Sequence, residues 1–275
     1  MSVWFITGAA RGFGRELVAS ALAAGDQVIA TARNPQHVMD AFPDAGDALL
    51  AVRLDVTAAE QAAAAVAAGL DRFDRIDVLV NNAGYGLFGA IEEITDVEAR
   101  ELFDTNVFGL LNVLRAALPA LRAQGRSRIV NISSSAGFAS SAGRGLYSAS
   151  KFAVEAISEA LRSELAPLGI RVTVVEPGSF RTGFLAAGSR RRPAARIPAY
   201  GDTVGALQQA VEAGDGKQPG DPTRAAIAIR DVVATAEPPV RLQLGSDCVR
   251  LVEDKLTSVA KELDQWRELA LSTDY

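Results

Sequence analysis

The chain holds one cysteine and one histidine among its 275 residues. A lone cysteine, Cys248, excludes an intrachain disulfide and suits a reducing cytosol. A lone histidine, His37, would have to serve any Ser-His-Asp hydrolase or His/Cys zinc mechanism by itself, so both classes fit poorly. Long hydrophobic runs are missing too. No apolar stretch approaches the ~18 residues of a membrane span, and no basic segment followed by an apolar region marks a leader. Nor is there an excess of positive charge: 28 Lys and Arg against 33 Asp and Glu leave a net charge of -5, which argues against a general nucleic-acid binder. The expectation is a cytoplasmic protein with no metal, nucleic-acid or membrane partner. With 49% hydrophobic residues and no linker, residues 1–275 read as a single α/β domain with one sizeable core.

Strands and helices alternate along the chain. Ser2 to Ile6 is an apolar run, followed by Thr7-Gly8-Ala9-Ala10-Arg11-Gly12-Phe13-Gly14 and then Leu17, Ala21 and Leu22 at helical spacing. In that strand-turn-helix, Gly8 permits a tight turn, Gly12 lets the backbone approach a phosphate, and Gly14 lets helix and strand pack closely. A merely tight turn would use the same residues. Gln27 to Thr31 is a second strand ending near Arg33, and Arg33 with Arg11 could face a 2′-phosphate; two solvated arginines are the alternative. Leu49 to Leu54 is a third strand. Asp55 after it either meets an adenine amino group or caps the turn before the Ala58 to Leu70 helix.

Ile76 to Val80 runs into Asn81-Asn82-Ala83-Gly84, a polar turn able to touch a cofactor and to stabilise the sheet. Thr95 with Glu98 opens a long helix whose apolar side carries Leu102, Phe103, Val107, Leu110, Leu111 and Leu114, interrupted by Asn106. An amide on that stripe is either a satisfied core group or a site residue. Arg128 to Ile132 delivers Ser133, Ser134 and Ser135 at its carboxyl end. Leu146 to Leu165 is a helix on which Tyr147 and Lys151, one turn apart, share a face. A neighbouring ammonium would lower the phenol's pKa, and a phenol so tuned can exchange a proton with an alcohol or carbonyl oxygen held by Ser134. Arg171 to Val175 ends at Pro177-Gly178-Ser179-Phe180-Arg181-Thr182. Residues 183–220 have the length of a lid, Asp221-Pro222 starts a helix, and Val240 to Leu244 is a last strand. The pattern predicts a doubly wound parallel sheet, a Rossmann fold of about seven strands with helices on both faces.

With these residues in order, the chain resembles the short-chain dehydrogenase/reductase family in its compact single-domain branch. The resemblance rests on Thr7-Gly8…Gly12…Gly14, Asp55, Asn81 to Gly84, Asn106, Ser134, Tyr147, Lys151 and Pro177-Gly178…Thr182. It implies strand order 3-2-1-4-5-6-7 and a dimer or tetramer. It also implies a catalytic tetrad of Asn106, Ser134, Tyr147 and Lys151, with Lys151 lowering the tyrosine pKa and Asn106 holding a relay water. The implied NADP(H) bed comprises Thr7, Gly8, Ala10, Arg11, Gly12, Phe13, Gly14, Arg33, Asp55, Val56, Asn82, Ala83, Gly84, Asn106, Tyr147, Lys151, Pro177, Gly178, Phe180 and Thr182.

The expected substrate is a small or medium apolar ketone, aldehyde or secondary alcohol, in a pocket of Tyr85, Phe88, Ala136, Phe138 and Phe184. Two other functions use the same residues: an epimerase or dehydratase with the Tyr/Lys pair, and a dinucleotide sensor without turnover. Arg190, Arg191, Arg192 and Arg196 either attract an anionic substrate or form a solvated loop, and His37 receives no role. The C-terminal helix, about 247–271, carries Val249, Val252, Leu256, Val259, Leu263 and Trp266 on one stripe. Such a stripe is expected to be buried, against its own core or against a lid or subunit contact.

Overall fold

The computed structural model describes residues 1–184 and 189–275. In chain order the elements are β1 (Val3–Thr7), α1 (Gly12–Ala23), β2 (Gln27–Ala32), α2 (Gln36–Ala41), β3 (Leu49–Arg53), α3 (Ala59–Phe73), β4 (Val78–Asn81), β5 (Gly86–Leu87), α4 (Asp96–Phe103), α5 (Gly109–Gln124), β6 (Ser127–Ile132), α6 (Gly145–Leu165), β7 (Ile170–Pro177), β8 (Arg190–Arg191), α7 (Ala206–Ala213), α8 (Pro222–Ala234), β9 (Arg241–Leu244) and α9 (Ser246–Leu271). Seven strands form one parallel sheet in the order β3-β2-β1-β4-β6-β7-β9. Renumbered within the sheet, that is the expected 3-2-1-4-5-6-7.

Period-two alternation sends neighbouring strand residues to opposite faces, and each face meets helices. Val3 and Phe5 of β1 join Leu79, Ile129 and Val172 against Ala62 and Val66 of α3, Val113 and Leu121 of α5, and Val154 of α6. Trp4 and Ile6 join Val28, Val80 and Val130 against Leu17 and Val18 of α1 and Ile229 of α8. Phe5, Ile6, Ile29, Leu79 and Ile129 are fully buried. Each such side chain contributes roughly 1.5–3 kcal/mol through area removed from water. The strand order reverses between β1 and β4, and this opens a crevice at the carboxyl ends of the strands.

Three elements differ in detail from the sequence expectation. The long helix from Thr95 is present but not uniform: α4 is capped by the Thr95–Glu98 box, and residues 104–108 form one wide turn, in which the Gly109 N–H reaches back to Asp104, that passes without a break into α5. The wide turn contains Asn106. The region from 183 to 220, of which residues 185–188 lie outside the described part, gains detail the expectation of a lid-length segment did not contain, because β8 pairs in parallel with β5 and α7 follows. Finally, the α9 stripe is not buried in the chain's own core. Leu256, Leu263 and Trp266 are each more than half exposed, Val249 and Val259 nearly so, and only Cys248 of this helix is buried.

Candidate active site

A cleft of about 1070 Å³ runs across the carboxyl ends of the strands. One end is nucleotide-like in its materials. Gly8 and Gly12 take positive φ of 66° and 55°. A Cβ on Gly14 would stand 2.4 Å from the Gly8 carbonyl oxygen and 2.6 Å from Asn82 Nδ2, so the glycine is what lets α1 start so close under the turn. No side chain caps the N-terminus of α1, leaving its first N–H groups to an anion in the cleft. Ala10, Arg11, Gly12 and Phe13 line this end, continuing to Arg33, Asn34 and His37 beyond β2 and to Asp55 and Val56 beyond β3. The residues therefore fit a dinucleotide: a glycine turn and open helix terminus for the pyrophosphate, flanked by two arginines. Asp55 settles one alternative in part, since its Oδ1 accepts from Thr57 N at 3.1 Å and Thr57 Oγ1 at 2.8 Å, capping the turn while still lining the cleft.

Of the expected cofactor residues, Thr7 works from behind the wall, while Asn82 lines the cleft and braces it. Thr7 Oγ1 accepts from the N–H groups of Asn82 and Ala83 at 2.9 and 3.0 Å and donates to Val80 O, stitching β1 to the turn after β4. Asn82 Nδ2 donates to Thr7 O at 2.8 Å. Asn106 is also behind the wall: its Oδ1 accepts from Tyr85 N at 3.0 Å, and its Nδ2 donates to Tyr85 O at 2.9 Å and Ser150 Oγ at 3.1 Å. It is thus a satisfied buried amide that fixes the backbone of Tyr85. Gly84 packs between it and the lysine, with a Cβ position 3.0 Å from Asn106 Oδ1 and 3.6 Å from Lys151 Nζ.

At the other end stand Ser134, Tyr147 and Lys151. Ser134 opens a short turn after β6, its Oγ accepting from Ala136 N at 3.1 Å, and its hydroxyl is near enough to the Tyr147 phenol to favour the ionised form. Lys151 Nζ donates to Ile132 O at 2.8 Å. Burial pulls the Lys151 pKa down to about 8, with the Glu155 carboxylate opposing. The expected depression of the Tyr147 pKa is not what the geometry gives. Burial raises it, and the groups that oppose burial are the Ser134 hydroxyl and the Arg144 guanidinium. The phenol ring is wedged edge-on against Phe88 at 5.5 Å and near Phe184 at 6.0 Å, where an ionised oxygen would be poorly solvated.

Tyr85, Phe88, Ala136 and Phe184 line this end as expected, but Phe138 does not reach the cleft. Its place in the wall is taken by Arg191 of the arginine cluster and by residues that sequence reasoning passed over: Arg144, and Leu207 and Val211 of α7. Pro177, Gly178, Phe180 and Thr182 complete the floor, with Phe180 edge-on to Phe13 at 5.1 Å. Asp247 at the root of α9 holds this loop, accepting from Ser179 N at 2.7 Å. The arginine cluster divides. Arg191 pairs with Glu101 at 2.7 Å and covers the Tyr85 ring, Arg192 pairs with Glu212, and Arg196 donates to Gln208 at 2.5 Å.

Comparison with known proteins agrees with this architecture. Residues 2–192 match the family model described as short chain dehydrogenase. An oxidoreductase of Botryotinia fuckeliana, BOA17, is 36% identical over 272 residues, covering 98% of each chain. The crystal structure of a short-chain dehydrogenase from Streptomyces avermitilis superposes with a TM-score of 0.94 at 44% identity, covering 100% of this chain and 99% of that one. A short-chain dehydrogenase/reductase from Burkholderia phymatum, solved in complex with NAD, gives 0.83 at 25% identity over 95% of both chains.

Proposed function

Because the chain belongs to the short-chain dehydrogenase family, we propose that it is an NADP(H)-dependent oxidoreductase acting on a ketone, aldehyde or secondary alcohol, with Tyr147 as general acid/base. The observation that carries the reading is the shared cleft, with Ser134, Tyr147 and Lys151 at one end and the glycine turn, Arg11 and Arg33 at the other. The nucleotide, when bound, supplies or accepts the hydride. Ser134 would hold the carbonyl oxygen at the phenol. A buried phenol whose pKa is raised stays protonated near neutrality, which suits proton donation to an oxygen gaining negative charge, and hence the reducing direction. Lys151, close to its own midpoint at about 8, is placed to restore that proton. Preference for NADP(H) over NAD(H) rests on the two arginines and on Arg33 standing where an acidic residue would repel a 2′-phosphate. Among the described residues no helix is long and apolar enough to cross a membrane.

The test is a panel of carbonyl compounds followed by loss of NADPH absorbance, repeated with Tyr147→Phe. The variant is expected to bind NADPH and to lose roughly 100-fold or more in rate. Activity near that of the parent would remove Tyr147 from the mechanism, and a flat response across the panel would favour a dinucleotide sensor.

The acting species in this reading is a homo-oligomer joined in part through α9. Val249, Val252, Leu256, Val259, Leu263, Trp266 and Ala270 follow a strict three-four repeat over three heptads, the spacing of a helix that pairs with another helix. The stripe is self-complementary when two copies run antiparallel. Val249 then faces Trp266, Val252 faces Leu263 and Leu256 faces Val259, each layer joining a small side chain to a larger one. Lys255 and Glu262, which flank the seam, meet as opposite charges in the same register.

A further inference from the structure

Resting on the reductase reading, we propose that Arg144 is an anion-recognition residue and that the physiological substrate is a carbonyl compound carrying a carboxylate or phosphate. Arg144 immediately precedes α6 and lies three residues before Tyr147. Its guanidinium stands 5.7 Å from the centre of the Phe88 ring, which is itself edge-on to Tyr147, and it is near enough to the phenol to favour its ionised form. The side chain lines the cleft. Its Nε is buried and has no hydrogen-bond acceptor, and among the described residues no carboxylate pairs with it.

That state is costly unless something enters to relieve it. A guanidinium is planar with five donors, and a ring face supplies no acceptor in that plane. A buried donor left unmet is destabilising, the more so on a charged group. Neighbouring arginines show the contrast: Arg191, which lines the cleft, is committed to Glu101, and Arg192 next to it is committed to Glu212. Their charge is already spent on the protein. An oxyanion on a substrate would satisfy the Arg144 fork bidentately. Its apolar part would run between Phe88, Phe184, Leu207 and Val211, while its carbonyl sits at Ser134 and Tyr147.

The test measures binding before turnover. The probes are 4-oxononanoate, its methyl ester and 4-oxononyl phosphate, titrated calorimetrically into the full-length protein saturated with NADP⁺. In the parent, at least one of the two anions should bind roughly ten- to a hundredfold more tightly than the ester, the scale of a hydrogen-bonded charged group. Which anion wins distinguishes a carboxylate from a phosphate substrate. In Arg144→Gln that preference should collapse towards one, and Arg144→Lys should keep part of it. The ratio within each variant cancels any general effect on Tyr147. Equal binding of acid, phosphate and ester by the parent, or a preference that survives Arg144→Gln, overturns the proposal. Anion-selective binding with no NADPH consumption would support the anion site while counting against the reductase reading.

Discussion

Arg33 follows β2, exposed at the mouth of the cleft, and among the described residues no carboxylate pairs with it. Replacing it by aspartate removes one charge-assisted contact and adds repulsion. Arg33→Asp should therefore cut the preference for NADPH over NADH by roughly tenfold or more, read by titrating both nucleotides into parent and variant. An unchanged ratio would return Arg33 to the solvated surface. Residues fixed by backbone chemistry were the legible ones: Gly8, Gly12 and Gly14 could be named because a positive φ or a Cβ clash leaves no other choice. Serine, tyrosine and lysine at family spacing were equally plain. Hidden were the causes of pKa shifts, because they depend on what surrounds the ring in space. Tyr147 was expected to be tuned by Lys151, four residues away, whereas burial dominates and Arg144 is the cation that opposes it. Phe138 was placed in the wall by its position in a loop, and the chain instead presents Leu207 and Val211, about 70 residues further on, from α7.

Along α6 the four-residue step repeats as Tyr147, Lys151, Glu155 and Glu159, so the row runs from the site to the surface. Behind Lys151, Arg241 of β9 bridges three carboxylates: its Nε lies 3.3 Å from Glu155 Oε2 and 3.3 Å from the fully buried Glu176, and its Nη2 pairs with Glu159. Burial raises the Glu155 pKa to about 7, Glu176 pushing the same way, while Ser133 and Arg241 oppose; burial raises Glu176 as well. A carboxyl that binds its proton more tightly in the fold stabilises the fold fully below its free value near 4.5, and that contribution is lost as pH rises through about 7. Lys151 acts in a different window, stability rising between about 8 and its free value of 10.5 as its costly buried charge is shed. Glu155→Gln should thus reduce the fall in Tm between pH 5 and pH 8 by a few degrees, with Glu176 maintaining part of the slope. Parallel melting profiles for parent and variant would exclude Glu155 as a source. Elements with a strong period were readable, as β1 to β4 and α6 show. The wide turn at 104–108 was not, because Asn106 sits on a stripe that otherwise reads as one continuous helix, and only the Tyr85 backbone explains why it is there. Two-residue strands such as β5 and β8 carry no period at all and are defined by backbone pairing alone.

At the scale of the whole molecule, alternation implied a doubly wound parallel sheet and the family resemblance its strand order, whereas neither decided the fate of α9. Amphipathic spacing says that a face will be covered without saying by what. The helix is rooted by Cys248, buried with its Sγ donating to Glu176 O at 3.0 Å, and by Asp247 against the loop that floors the cleft. Beyond Glu253 every residue of the helix is exposed. Cutting the chain before Glu262 removes Leu263 and Trp266, which breaks the Val249–Trp266 and Val252–Leu263 layers of the antiparallel seam, and leaves the root intact. If α9 pairs with its copy, the truncated protein should sediment as a smaller species at micromolar concentrations at which the parent is associated. Its Tm, taken where both proteins are monomeric, should change little, since the deleted side chains bury nothing in their own chain. Substrate KM should hold as well, because Asp247 still fixes Ser179. Leu256→Asp provides an independent disruption in the middle layer and should dissociate the parent without shortening it. Unchanged mass in both variants would mean that the seam joins no second copy. A large fall in the monomer's Tm would show instead that the stripe serves the chain's own fold.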